Sequence, residues 1–215
     1  MPNADLTRTD PHHKMLFDPV QIGPVTAPNR FWAVPHATGH GWSQPNGSIA
    51  LRAMKAEGGW GVVSMQITEI AADADMANHP MERLWDDGDI PHHAAQVAAI
   101  HNHGALAAIE LAHGGMRARN ITTGQPVIGP SALPVLRAEV PVQAREMDLS
   151  DIAAFRAAHK AAAQRALQAG YDVLYVYAAH DLSLLSHFLS ARTNRRSDAY
   201  GGSFQYRLRL LREVL

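Results

Sequence analysis

The chain of 215 residues is 47% apolar, enough for one substantial core, and its formal net charge of -1 offers no basic surface for nucleic acid. No apolar run approaches the roughly twenty residues of a membrane helix, and the polar opening MPNADLTRTDPHHK lacks the apolar region of a secretory signal, which predicts a soluble, cytoplasmic protein with no membrane contact. The absence of cysteine excludes disulfides, thiolate nucleophiles and cysteine-bound metal clusters within these residues.

Residues 1–15 read as a polar arm, and 16–215 as one run of strand and helix units. LFDPVQIGPVTAPNRFWAVPHATG predicts a hairpin turning at Gly23-Pro24 and a strand over 30–34. A short helix is predicted over 48–57, closed by Gly58-Gly59, and WGVVSMQI predicts a buried strand over 60–67. A helix over 92–103, stopped by Gly104, leads into a third strand over 105–111 (ALAAIEL). The pairs His12-His13, His92-His93 and His101 with His103 have no carboxylate at helical spacing, and read as solvated loop and helix-end side chains rather than metal ligands.

A long Gly- and Pro-bearing loop is predicted over 112–147. Ser150 then reads as the N-cap of a helix beginning at Asp151, with Ile152, Phe155, Ala158, Ala162 and Ala166 on its core face and Gly170 at its end. YDVLYVY predicts a fourth strand over 171–177, buried on both faces as in a parallel sheet. It ends in Tyr177 and His180, two ionisable side chains where parallel α/β folds place their ligands. The plainer reading is a tyrosine packed on the core and a histidine capping a loop carbonyl. Ser203 is expected to cap a last helix that buries Leu208, Leu211 and Leu215.

A hairpin followed by four strand-plus-helix units predicts an α/β fold, the N-terminal half of a (β/α)8 TIM barrel, an architecture that takes about 250 residues when complete. The competing flavodoxin-like or Rossmann sheet would show a Gly-rich phosphate loop after its first strand, and none is present. The end at Leu215, inside a predicted helix, is expected to be the point where a longer parent continues, leaving two unpaired sheet edges.

NRFWAVPHATG, KAEGGWGVV, IELAHGG, EMDLSDIAAF, YVYAAH and RTNRRSDAYGGS, in that order, resemble the Old Yellow Enzyme-like FMN oxidoreductases, and within them the trimethylamine, dimethylamine and histamine dehydrogenase branch. The resemblance implies a barrel binding FMN. Val34, Pro35 and His36 would lie against the flavin ring, Gln66 would stand near it, and Glu110 would accept from its pyrimidine edge. For Glu110 a structural salt bridge to Arg117 or Arg119 is the alternative. Tyr177 and His180 match a proton-handling pair that is completed by an aspartate of the barrel's second half. His113 is a further candidate or a loop anchor, while Arg192, Asn194, Arg196 and Asp198 are expected to brace the loop before the last helix.

Three positions depart from that branch. Ala37 stands where a cysteine attaches FMN covalently, so the flavin is expected to be non-covalent. Ile67 replaces an aromatic that would help enclose a methylated ammonium, and Leu182 stands where ene reductases have a proton-donating tyrosine. The implied activity is an amine dehydrogenase or demethylase, moving hydride from a carbon next to nitrogen to flavin N5, with a small-molecule amine as substrate and an unspecified electron acceptor. The alternatives are an NAD(P)H-dependent enoate or 2,4-dienoyl-CoA reductase, or an inactive barrel fragment. A 4Fe-4S cluster and dinucleotide domains would lie beyond Leu215, and the full-length parent is expected to be a homo-oligomer.

Overall fold

A computed structural model describes residues 11–135 and 142–215, so most of the polar arm lies outside the described residues. Its first elements are a 3-10 helix, Pro11–Leu16, and the expected hairpin, strands β1 (Val20–Ile22) and β2 (Val25–Ala27), antiparallel about Gly23 in the left-handed region. Strand β3 is shorter than predicted, Trp32–Ala33, because Asn29 and the backbone of Phe31 are already used in the turn that leads to it.

Helix α1 (Pro45–Glu57) starts three residues earlier than the sequence suggested, with Pro in its first turn, where a missing N–H costs nothing. Strand β4 runs Val62–Glu69 rather than 60–67: Trp60 is 40% exposed, and the chain enters the sheet only after Gly61. A short strand β5 (Glu82–Arg83) pairs with the end of β4, then helix α2 (Ile90–His101) and strand β6 (Leu106–Ala112) follow. His93 corrects the solvated-histidine expectation. It is buried on α2, with Nδ1 2.8 Å from the Tyr171 hydroxyl and Nε2 2.9 Å from the Arg83 carbonyl oxygen.

The predicted loop over 112–147 carries small pieces of structure: β7 (Ile128–Gly129), β8 (Pro134–Val135), β9 (Val142–Gln143) and β10 (Arg145–Glu146), paired two by two. They close over a small apolar cluster of Met116, Ala118, Val127, Val135 and Ala144. Helix α3 (Leu149–Ala169) is capped by Asp148, not Ser150. The Asp148 carboxylate accepts from the Asp151 N–H at 2.8 Å, and Asp151 accepts from the Asp148 N–H at 2.9 Å, a reciprocal capping box. Gly170, at φ 94, ends it.

Strand β11 (Val173–Val176) is only partly buried, against the expectation of burial on both faces, because it lies at an edge of the described sheet and Leu174 is 37% exposed. A helix not anticipated, α4 (Leu184–Leu189), precedes α5 (Phe204–Val214), which Ser203 caps as expected. On α5 the fully buried side chain is Leu210, whereas Leu208 and Leu211 are half-buried and Leu215 is 81% exposed.

The sheet order is β3, β4, β6, β11, all parallel and in chain order. A doubly wound sheet reverses its order at a switch point, and this one does not, which leaves the advancing order of a barrel. Val63, Met65, Ile109 and Leu111 of the central strands are buried in one cluster with Val97 and Ile100 of α2 and Ile152, Phe155 and Ala162 of α3. Each large aliphatic side chain buried there contributes about 1.5–3 kcal/mol. The hairpin covers the opposite end: Val20, Ile22 and Ala27 pack with Val62, Leu106 and Val173 at the strands' amino ends. The hairpin leaves the carboxyl ends of the strands uncovered.

Candidate active site

At those carboxyl ends the sheet register sets Glu110 between Ile67 of β4 and Tyr175 of β11. Between Ser64 and Ile67 strand β4 takes one more residue than β6, so Met65 and Gln66 oppose the single Ile109. Such a bulge re-aims a side chain at a strand end. Gln66 is fully buried; its Oε1 accepts from the Thr38 N–H at 2.8 Å, and its Nε2 has no partner. A buried amide donor left unpaired costs about 1–3 kcal/mol, so it asks for an acceptor.

The segment after β3 stands open. Val34 is 65% exposed, and His36 and Ala37 are also exposed, while Pro35 is half-buried. Gln66 fixes this segment at Thr38, and Nη2 of Arg52 holds it at the His36 carbonyl oxygen, 3.1 Å away. Below it, Trp32 Nε1 donates to Ser64 Oγ, which is 3.1 Å from the Tyr175 hydroxyl, a polar floor across three strands.

Glu110 forms no ion pair with Arg117 or Arg119, and none with any other described residue; loss of water alone pushes its carboxyl up to about 7. The salt-bridge alternative therefore fails, since Arg117 turns to Asp181 instead. Tyr177 is buried, and its hydroxyl lies 2.7 Å from Nδ1 of His180, the rings stacked at 30°. Burial first, and then the Glu110 charge, push the Tyr177 phenol up to about 12, so it keeps its proton, which it donates to Nδ1 in the tautomer that carries the imidazole proton on Nε2. His180 is exposed, so a proton it receives has a way out.

His180 and its neighbour Asp181 both have positive φ, 60 and 54, a conformation that costs a non-glycine residue about 1–3 kcal/mol. Such outliers cluster at working sites. His113 is a loop anchor. Its Nδ1 accepts from the Gly115 N–H at 2.9 Å, its Nε2 lies 3.4 Å from Asp73, and its carbonyl accepts from Leu184. Asn194 donates to the Phe188 and Tyr200 carbonyls, and Arg196 to Asp198 and the Pro130 and Met147 carbonyls, so this stretch braces the loop before α5.

Arg52, Thr38 and Asp181 were not singled out from the sequence. Arg52 carried a faint signal: Ser48, Arg52 and Ala56 recur every four residues on the buried face of α1. Its guanidinium is fully buried and lies in the field of Glu82, which accepts from Ser48 Oγ at 2.6 Å and pairs with His92 at 3.0 Å. Chemically, the strand ends offer an exposed apolar side chain at Val34, an unpaired donor at Gln66 and a carboxyl at Glu110 outside any ion pair among the described residues. A planar heterocycle edged with alternating acceptors and donors fits those groups. No group of three or more metal-ligating side chains occurs among the described residues.

Against known proteins, the model of the NADH:flavin oxidoreductase / NADH oxidase family matches residues 15–215. Dimethylamine dehydrogenase of Hyphomicrobium sp. (strain x) is 37% identical over 96% of this chain and 28% of its own length. Among solved structures, histamine dehydrogenase from Rhizobium sp. 4-9 superposes with a TM-score of 0.92 at 42% identity, over 96% of this chain and 32% of that one. The 6-hydroxypseudooxynicotine amine oxidase from Pseudomonas geniculata N1 does so at 0.91 and 47%, over 95% and 31%. The chain thus spans about a third of the length of these relatives.

Proposed function

The chain belongs to the NADH:flavin oxidoreductase / NADH oxidase family, and from that premise we propose that the whole protein is an FMN-dependent amine dehydrogenase. Bound FMN supplies the acceptor for a hydride leaving the carbon next to nitrogen. The backbone of Val34, Pro35 and His36 would hold its ring, with the Gln66 amide donating to it and Glu110 at its pyrimidine edge. Ala37 carries no sulfur, so the hold at this position is non-covalent.

The observation that carries the reading is the 2.7 Å hydrogen bond between Tyr177 and His180 at the carboxyl end of β11. An alkylamine is mostly protonated near neutrality, and its nitrogen must release that proton before the lone pair can support hydride loss. The Tyr177 oxygen accepts it while the phenol's own proton passes to His180 Nδ1. A free tyrosinate never forms, as a phenol pushed up to about 12 requires. The imidazole, exposed to solvent, then returns the proton to water. The resulting imine hydrolyses to an aldehyde and a smaller amine. The names of the relatives, a dimethylamine dehydrogenase, a histamine dehydrogenase and an amine oxidase, support an amine substrate.

Product analysis tests this. The whole protein, turning over a small secondary alkylamine with an artificial electron acceptor, is expected to release aldehyde and the shorter amine in equal amounts. No aldehyde from any amine, together with NAD(P)H-dependent reduction of an enone, would assign the protein to the ene reductases instead.

A further inference from the structure

We propose that Asp181, clamped by Arg117 and Arg192, is the positioning residue that aims His180 at Tyr177. The inference rests on the reading of Tyr177 and His180 as the proton-handling pair. His180 lies three residues beyond Tyr177, and its ring reaches back to the phenol because the chain turns through two successive left-handed residues, His180 and Asp181. Neither is glycine, so the two positive φ values carry a conformational cost that contacts around the turn can offset.

Asp181 is held at four points. Its carboxylate Oδ2 accepts from Nη2 of Arg192 at 2.7 Å and from Nη2 of Arg117 at 3.1 Å. Its carbonyl oxygen accepts from Nε of Arg117 at 3.3 Å and lies 3.2 Å from Nε2 of the buried His187. The three partners come from separate places, the turn after β6, helix α4 and the loop beyond it, so they fix the residue in space and not merely along the chain. A single exposed ion pair contributes little, and Arg192 is 74% exposed. Two guanidinium groups on one carboxylate oxygen, backed by two bonds to the carbonyl, make a geometric clamp. The charged and titratable groups around the pair are then Glu110 beside Tyr177, Asp181 with Arg117 and Arg192 beyond His180, and His187 behind Asp181.

The test labels histidine with 15N in the intact protein and assigns His180 with His180→Gln. In Asp181→Ala the ring resonances of His180 are expected to move and its Tyr177-coupled tautomer to be lost, while flavin reduction by an amine slows about tenfold or more with KM little changed. Asp181→Asn, which tolerates the left-handed conformation and keeps an acceptor oxygen, is expected to restore most of both. If Asp181→Ala does not fold, Arg192→Ala at an exposed side chain carries the same expectation in smaller degree. Ring resonances of His180 that are the same in these variants and the parent would overturn the clamp. The spectrum reads the clamp even if no amine is oxidised, so its failure and the failure of the amine reading are separable.

Discussion

At the scale of single residues, the site is a set of polar groups whose partners are missing or made unusual by burial. Tyr177 is held protonated, and among the described residues its hydroxyl is hydrogen-bonded to His180, so on the proposed reading the two act as a unit. Tyr177→Phe and His180→Gln are each expected to slow amine-dependent flavin reduction on the order of a hundredfold or more, with the double variant little worse than either, measured by anaerobic stopped flow. Glu110 differs, since desolvation alone raises its carboxyl to about 7. Below that pH it is a neutral acid, and above it a carboxylate. The visible spectrum of bound FMN is expected to change through about pH 7 in the parent and not in Glu110→Gln, as a pH titration of the absorbance would show. The sequence drew attention to Tyr177 and His180 at the end of an apolar strand and to Glu110 as a carboxylate after the apolar ALAAI, whereas Gln66 was drawn out only by the family resemblance. Arg52 and Asp181 were not legible there, since their roles depend on which carbonyl or guanidinium the fold brings beside them.

At the scale of elements, most strands and helices were legible and their ends were not. The four strand-helix units stand out through apolar runs closed by Gly59, Gly104 and Gly170, each in the left-handed region that favours glycine. The cap of α3 was misread because Ser150 and Asp148 are both good caps, and only the bond from the Asp151 N–H to Asp148 decides between them. Asp148→Ala is expected to lower the midpoint of urea melts and Ser150→Ala to lower it much less. Helix α4 escaped because six residues carry less than two turns of periodicity, and β7 to β10 because two-residue strands carry none. The bulge at Met65 and Gln66 exists only as a register against β6.

At the scale of the whole molecule, buried ionisable groups set opposing pH limits. His159 and His187 fall from 6.5 to about 4 on burial, so the unfolded chain takes up protons first and stability is lost as pH falls from 6.5 to 4. Glu82, at about 2 against 4.5 when unfolded, adds a further loss between those values. Glu69 runs the other way. Burial and then Asp75 raise it from 4.5 to about 8, so stability is lost as pH rises through that window. Glu69→Gln is therefore expected to raise the urea midpoint at pH 8 and leave it nearly unchanged at pH 4.5, an effect of a few kcal/mol at most. The larger arrangement has one consequence for function: the hairpin closes the amino end of the sheet, and every candidate group lies at the other. The most direct test of amine oxidation there is anaerobic mixing of the FMN-loaded whole protein with a small alkylamine. Bleaching of the flavin at a rate that falls in Tyr177→Phe is the expected result, and a flavin left oxidised by every amine but bleached by NAD(P)H would contradict it.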